Sequence, residues 1–201
     1  MNLQEGLTVL GLVTAFLSFF GLLEVAKRKF GMSPEITRRL AHIGSGLLCW
    51  LDYTLLSPGI FAFLILNGVI FIAVSYKFNL FTSVHNVRRK THGEIYLAVG
   101  QLATWAVSLP NPSVFVPSLL VITFADAFAG LTSDLFKQQR KMWRGSAVFF
   151  VTAAAVLLLC GIGVWQTLLV AAATTVVERI SRRGSDNLTV PVVCAGLLLL
   201  L

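Results

Sequence analysis

Charge is scarce in this chain of 201 residues: only 12% of positions are Asp, Glu, Lys or Arg. A soluble domain carries roughly 25%. Too few charged side chains exist to cover a water-soluble globule. The 56% share of hydrophobic residues also excludes a disordered chain, which needs low hydrophobicity and high net charge. Cysteine is rare as well. Cys49, Cys160 and Cys194 lie inside apolar runs. An odd set with no ligand spacing excludes a disulfide framework and a zinc site, and the three read as small core side chains. His85 and His92 have no ligand spacing around them either. Acids are the scarcest charge: nine against 16 Lys and Arg, a net +7. A basic balance often marks binding to nucleic acid or a membrane surface, and the placement of the charges decides between them.

What the chain has instead is long hydrophobic runs. About 20 mostly apolar residues cross the hydrocarbon core of a bilayer. Runs of that kind fall at 6–26, 37–56, 60–78, 93–109, 113–131, 145–161 and 163–177, with a shorter last run at 188–201. They predict an all-α, polytopic integral membrane protein of about seven to eight helices in one bundle, a single domain over 1–201. Ser33-Pro34-Glu35 predicts a helix start, with an N-cap, a proline at the first helical position and an acid in the first turn. Ser57-Pro58-Gly59 predicts a tight turn, and Pro110-Asn111-Pro112 a break. Polar connections are expected at 79–92 and 132–144. The first run has its basic residues after it, not before it, so it reads as a span rather than a cleaved signal peptide.

The charges sort onto one face. Lys27, Arg28, Lys29, Arg38 and Arg39 lie between the first two runs. Lys77, Arg88, Arg89 and Lys90 lie between the third and fourth. Lys137, Arg140, Lys141 and Arg144 lie between the fifth and sixth, and Arg179, Arg182 and Arg183 between the seventh and eighth. These are all 16, and the alternate connections hold none. The positive-inside rule makes the basic face cytoplasmic and puts both termini on the opposite side. Seven of the nine acids join the 16 cations, a net +9, and Glu5 and Asp52 leave −2 on the far face. The basic residues are thus accounted for by topology, which argues against a nucleic-acid role. Asn187-Leu188-Thr189 fits a glycosylation sequon, but it falls on the cytoplasmic face and is expected to be unmodified.

Topology does not account for carboxylates set into span ends. Asp126 sits inside an apolar run, where an ionisable residue is a functional candidate by default. Glu94 opens the fourth run and Glu178 closes the seventh. A helix dipole at Glu94 and an ion pair of Glu178 with Arg179 or Arg182 are the structural alternatives. Small residues gather on the same face at Gly44-Ser45-Gly46, Gly93, Gly130 and Gly145-Ser146. They serve helix packing, or let backbone amides approach phosphate oxygens, as at the helix start Gly145-Ser146. His42 lies one turn below Arg38 and Arg39. Carboxylates among this many cations suit a polyphosphate with its magnesium ion, since magnesium is held by one or two carboxylates plus substrate phosphates. Phosphoryl transfer then needs positioning and charge neutralisation. The nucleotide would come from the cytosol and the acceptor from the membrane.

The ordered blocks resemble the polyprenol kinase family, which includes dolichol kinase, phytol kinase and the CTP-dependent diacylglycerol kinase. Glu35-Ile36-Thr37-Arg38-Arg39-Leu40-Ala41-His42-Ile43-Gly44 is similar to its Arg-Lys-x-x-His segment. Arg89-Lys90-Thr91-His92-Gly93-Glu94-Ile95-Tyr96 is similar to its Lys-x-x-Gly-Glu segment. Ala125-Asp126-Ala127-Phe128-Ala129-Gly130 resembles its Asp-x-x-Ala signature. Lys141-Met142-Trp143-Arg144-Gly145-Ser146, then Glu178, then Asp186-Asn187-Leu188-Thr189-Val190-Pro191, complete the order. Three positions depart from the family pattern: Arg39 where Lys is usual, Ser133 where Gly is usual, and Arg144 where an acid is usual. The resemblance implies a CTP-dependent kinase acting on an isoprenoid alcohol (polyprenol, dolichol or phytol), with magnesium. It implies Asp126, Glu94 and Lys90 as catalytic residues, with Asp126 and Glu178 at the metal. Arg38, Arg39, His42, Lys141, Gly145, Ser146, Asp186 and Asn187 would bind the nucleotide.

Other functions stay in view. A diacylglycerol kinase would use the same donor. A phosphatidate cytidylyltransferase would release pyrophosphate where a kinase releases CDP. A small transporter would put its polar residues near the midplane and show repeated halves, and here the polar residues cluster at one face.

Overall fold

The computed structural model describes residues 2–78, 80, 92–135 and 143–201. Among the described residues it is all-helical, with no strand. The chain forms two compact units, Met1–Arg89 and Lys90–Leu201.

The first unit holds α1 (Leu3–Phe30), α2 (Pro34–Leu55) and α3 (Pro58–Phe78). Asn2 caps α1, its Oδ1 accepting from the Glu5 N–H at 2.7 Å. Gly31 ends it at φ 65, and its N–H closes back on the Ala26 carbonyl. That left-handed stop is one that glycine adopts without penalty. Lys27, Arg28 and Lys29 lie in the last turn of α1, where the helix dipole favours cations. Ser33 caps α2 as expected, accepting from the Ile36 N–H at 3.3 Å, with Pro34 opening the helix. Phe20, Leu23 and Ala41 form the α1–α2 core, with Phe16 and Phe19 against it. An added methyl at Gly44 would meet the tip of the Phe19 ring, so Gly44 makes room for that ring against α2. Phe16 meets Phe71 edge-on at 5.9 Å between centroids, and Tyr53 meets Phe61 at 5.4 Å.

The second unit holds α4 (Gly93–Val107), α5 (Pro112–Leu135), α6 (Trp143–Leu159), α7 (Val164–Ile180) and α8 (Asp186–Leu200). The core draws on four of these helices. Val121, Ile122, Ala125 and Ala129 of α5 pack with Phe149, Ala153 and Leu157 of α6, Val170 and Ala171 of α7, and Val190 and Cys194 of α8. The polar connection expected at 132–144 is shorter in the structure. Thr132 and Ser133 stay helical, their hydroxyls donating to the Phe128 and Ala129 carbonyls at 2.9 and 3.1 Å. Such i−4 bonds occur throughout, as at Thr104, Ser118, Thr123 and Thr174. They satisfy hydroxyls where no water is at hand.

Three helices, α1, α3 and α5, are long and apolar enough to cross a membrane, by length and composition. α6 and α8 are shorter apolar helices. The best window of α5 is 61% buried within the protein, against 11% for α1 and 17% for α3. So α5 is an inner helix, and the outer sides of α1 and α3 present Leu7, Leu10, Phe63 and Ile70 outward. A continuous exposed apolar surface of that kind suits lipid and not water.

Candidate active site

The cations come first, because α2 carries them in the first unit. Arg38 and Arg39 lie on the second turn of α2 and are half-buried, and His42 is buried. Arg38 and His42 are four residues apart, which puts them on one helix face. Lys90 and Lys141 lie outside the described residues.

The second unit gathers the rest at one end. The Asn187 Nδ2 on the first turn of α8 donates to the Gly93 carbonyl at 2.8 Å, which ties the start of α8 to the start of α4. The His92 N–H donates to the Arg183 carbonyl at 3.3 Å. Arg183 is left-handed at φ 54 and Gly184 follows at φ 87. A left-handed arginine costs about 1–2 kcal/mol, and such strain clusters at functional sites. Asp186 and Asn187 are buried at 7% and 4% exposure, unusual for polar residues at a helix start. Glu94 follows Gly93, and both of its carboxylate oxygens are buried.

The start of α6 meets the ends of α5 and α7. A methyl at Gly145 would lie 3.3 Å from Ser133 Oγ and 3.6 Å from the Ala129 carbonyl. Ser146 is 5% exposed and accepts from the Arg179 Nη1 at 3.4 Å. The Arg179 guanidinium also stacks over the Trp143 ring at 4.1 Å from its centroid. Glu178, next to Arg179, is buried at 6% exposure. The starts of α4, α6 and α8 and the ends of α5 and α7 therefore share one end of this unit. Glu94, Gly145, Ser146, Glu178, Asp186 and Asn187 all lie at that end.

Asp126 enters this unit on a distorted turn. Ile122–Asp126 is a π-helical turn inside α5, flanked by α-helix on both sides. Such single wide turns often mark functional sites. Ile122, Thr123 and Ala125 are fully buried, while Asp126 is half-buried. The turn packs against α6 and α8.

Magnesium fits this donor set in one form only. Among the described residues no three His, Cys, Asp or Glu side chains converge into a complete protein cage. An ion held by one or two carboxylates and completed by phosphate oxygens needs no such cage.

Sequence patterns missed three features here. Gly100 was one small residue among many, yet a methyl there would run into the Asn187 carbonyl oxygen and come within 3.0 Å of Leu188 Cα. Gln101 is a lone amide in an apolar run, and that solitude was its signal. Arg179 contacts Ser146 and Trp143, partners that spacing along the chain does not name. No local signal announces a π turn.

Comparison with known proteins gives one informative match. A phytol kinase from Synechocystis is 30% identical over an alignment of 204 residues, covering 90% of this chain and 86% of that protein. No protein-family model matches, and no solved structure matches. The order of the blocks along the chain and a similarity that covers 90% of it have one conclusion: the chain belongs to the polyprenol and phytol kinase family.

Proposed function

We propose that this protein is a membrane-embedded kinase that transfers the γ-phosphoryl group of CTP to the hydroxyl of an isoprenoid alcohol at the cytoplasmic face. The observation that carries this reading is the gathering of Glu94, Ser146, Glu178, Asp186 and Asn187 at one end of the second unit's helices, in a chain similar to a phytol kinase over 90% of its length. A substrate that lives in the membrane also fits a protein made almost wholly of apolar helices.

The chemistry is an in-line displacement. The lipid oxygen attacks the γ-phosphorus, the bond to the β-phosphate oxygen breaks, and CDP leaves. The hydroxyl proton passes to a carboxylate, and Asp126 or Glu94 is the group for it. Ser146, held by Arg179, and the backbone amide of Gly145 suit phosphate oxygens, since backbone amides at a helix start favour anions. The guanidinium of Arg179 adds the charge that phosphoryl transfer requires. Magnesium, when bound, neutralises the phosphates, and Asp126 and Glu178 are the residues to hold it.

The test is transfer of label from γ-labelled CTP to phytol, a polyprenol and diacylglycerol in turn. CDP should appear with phosphorylated isoprenoid alcohol. Pyrophosphate in place of CDP would mean a cytidylyltransferase, and diacylglycerol as the sole acceptor would reassign the substrate. Asp126→Asn should fold and lose at least about 100-fold in kcat, the scale of a general acid–base contribution. Full turnover by that variant would remove Asp126 from the mechanism.

A further inference from the structure

Two buried amides, at Gln101 on α4 and Asn187 on α8, carry polar atoms to which the reading above gives no partner. Gln101 is 9% exposed, and its Nε2 is buried with no hydrogen-bond partner among the described residues. Asn187 is 4% exposed. Its Nδ2 is taken by the Gly93 carbonyl, which fixes the amide's orientation and leaves Oδ1 buried without a donor among the described residues. A buried polar group without a partner is rare and asks for an explanation, commonly a ligand or water.

Position makes the pair informative. Gly100 lies directly against the Asn187 carbonyl and within contact of Leu188 Cα. Its neighbour Gln101 is therefore level with the first turn of α8, at the end of the unit that gathers the candidate site. The next hydroxyl on α4 is already used, since Thr104 Oγ1 donates to the Gly100 carbonyl at 2.6 Å. Leu97 is buried one turn before Gln101. A neutral group that both accepts and donates suits an amide donor and an amide acceptor at one crossing, and an alcohol is such a group.

Resting on the kinase reading, we propose that Gln101 is the positioning residue for the lipid acceptor: its Nε2 donates to the oxygen of the lipid alcohol, with Asn187 Oδ1 facing the same crossing as acceptor. The residue holds the hydroxyl where the phosphoryl group arrives and takes no proton itself.

The test uses the full chain in lipid nanodiscs, with Gln101→Met as the first variant because its side chain has the same length. The probes are phytol, its methyl ether and the hydrocarbon that lacks the oxygen. The ether keeps the oxygen that accepts a hydrogen bond and cannot be phosphorylated. Gln101→Met should raise the KM for phytol and the inhibition constant of the ether about tenfold, the scale of one hydrogen bond. Inhibition by the hydrocarbon, the KM for CTP and the melting temperature should stay as in the wild type. Equal ether inhibition in variant and wild type would overturn the proposal, and so would a KM for CTP that rises in step with that for phytol. If Gln101→Met does not fold, Gln101→Leu is read the same way. If neither folds, wild-type inhibition decides: ether and hydrocarbon inhibiting equally would overturn the proposal, and tighter inhibition by the ether supports it. A wild-type chain with no transfer to any alcohol would remove the kinase reading and this inference together. An active wild type with an indifferent Gln101 would remove this inference alone.

Discussion

Gly100 and Gly145 look alike in the sequence and differ in what surrounds them. A methyl at position 100 meets the Asn187 carbonyl, which is backbone and cannot turn aside. Gly100→Ala should therefore destabilise the protein by about 2 kcal/mol or more, as overpacking does, and thermal unfolding in detergent measures it. A methyl at position 145 meets the Ser133 hydroxyl at 3.3 Å, a side-chain group that need give by only a few tenths of an ångström. Gly145→Ala should change stability by no more than about 0.5 kcal/mol. Any large loss of turnover in that variant then reports on phosphate approach and not on folding. Asp126 was legible at this scale because one acid in an apolar run stands out. Gly100 was not, because a glycine's role depends on which backbone crosses it, and spacing along the chain does not name the neighbour. The sequon at Asn187 also resolves here. Its Nδ2 is buried and donating to Gly93, so a glycan has no access to it in the fold.

Helix ends explain why the candidate site lies at the end of the second unit. Capping chemistry is local, so Ser33-Pro34-Glu35 announced the start of α2 and the structure has it there. Ser33→Ala should cost about 1 kcal/mol, the usual value for a lost N-cap, read as a fall in melting temperature. The π turn at Ile122–Asp126 was invisible in the sequence, because wide turns arise from packing around the helix and not from a residue code. Arg179 joins the end of α7 to the start of α6 through Ser146 and Trp143. Arg179→Lys keeps the charge but loses both the planar stack and the fork of donors. It should raise the KM for the nucleotide at least about tenfold, with the KM for the lipid alcohol unchanged. Equal effects on both substrates would make Arg179 a packing residue.

At the scale of the whole molecule, the charge pattern predicts an orientation. The 16 Lys and Arg fall on alternate connections, and among the described residues Arg144, Arg179, Arg182 and Arg183 lie at or next to the helix ends that carry the second unit's candidate residues. Approximate helix bounds among the described residues were legible because apolar runs and their breaks are long-range patterns that need no contact information. Which helix lies inside was not legible, since α1, α3 and α5 are equally apolar, and only packing makes α5 the buried one. Arg182 and Asn111 are exposed and fall on opposite faces in this topology. Single cysteines at the two positions should label from the cytoplasmic and the opposite side, respectively, and labelling of both from one side would break the span assignment. The central claim is the reaction itself, and the most direct measurement is transfer from γ-labelled CTP in purified nanodiscs supplied with phytol or a polyprenol. The account predicts labelled isoprenoid phosphate and an equal amount of CDP, abolished by Asp126→Asn. Label that stays in CTP with every alcohol offered, from a folded wild-type protein supplied with magnesium, would contradict it.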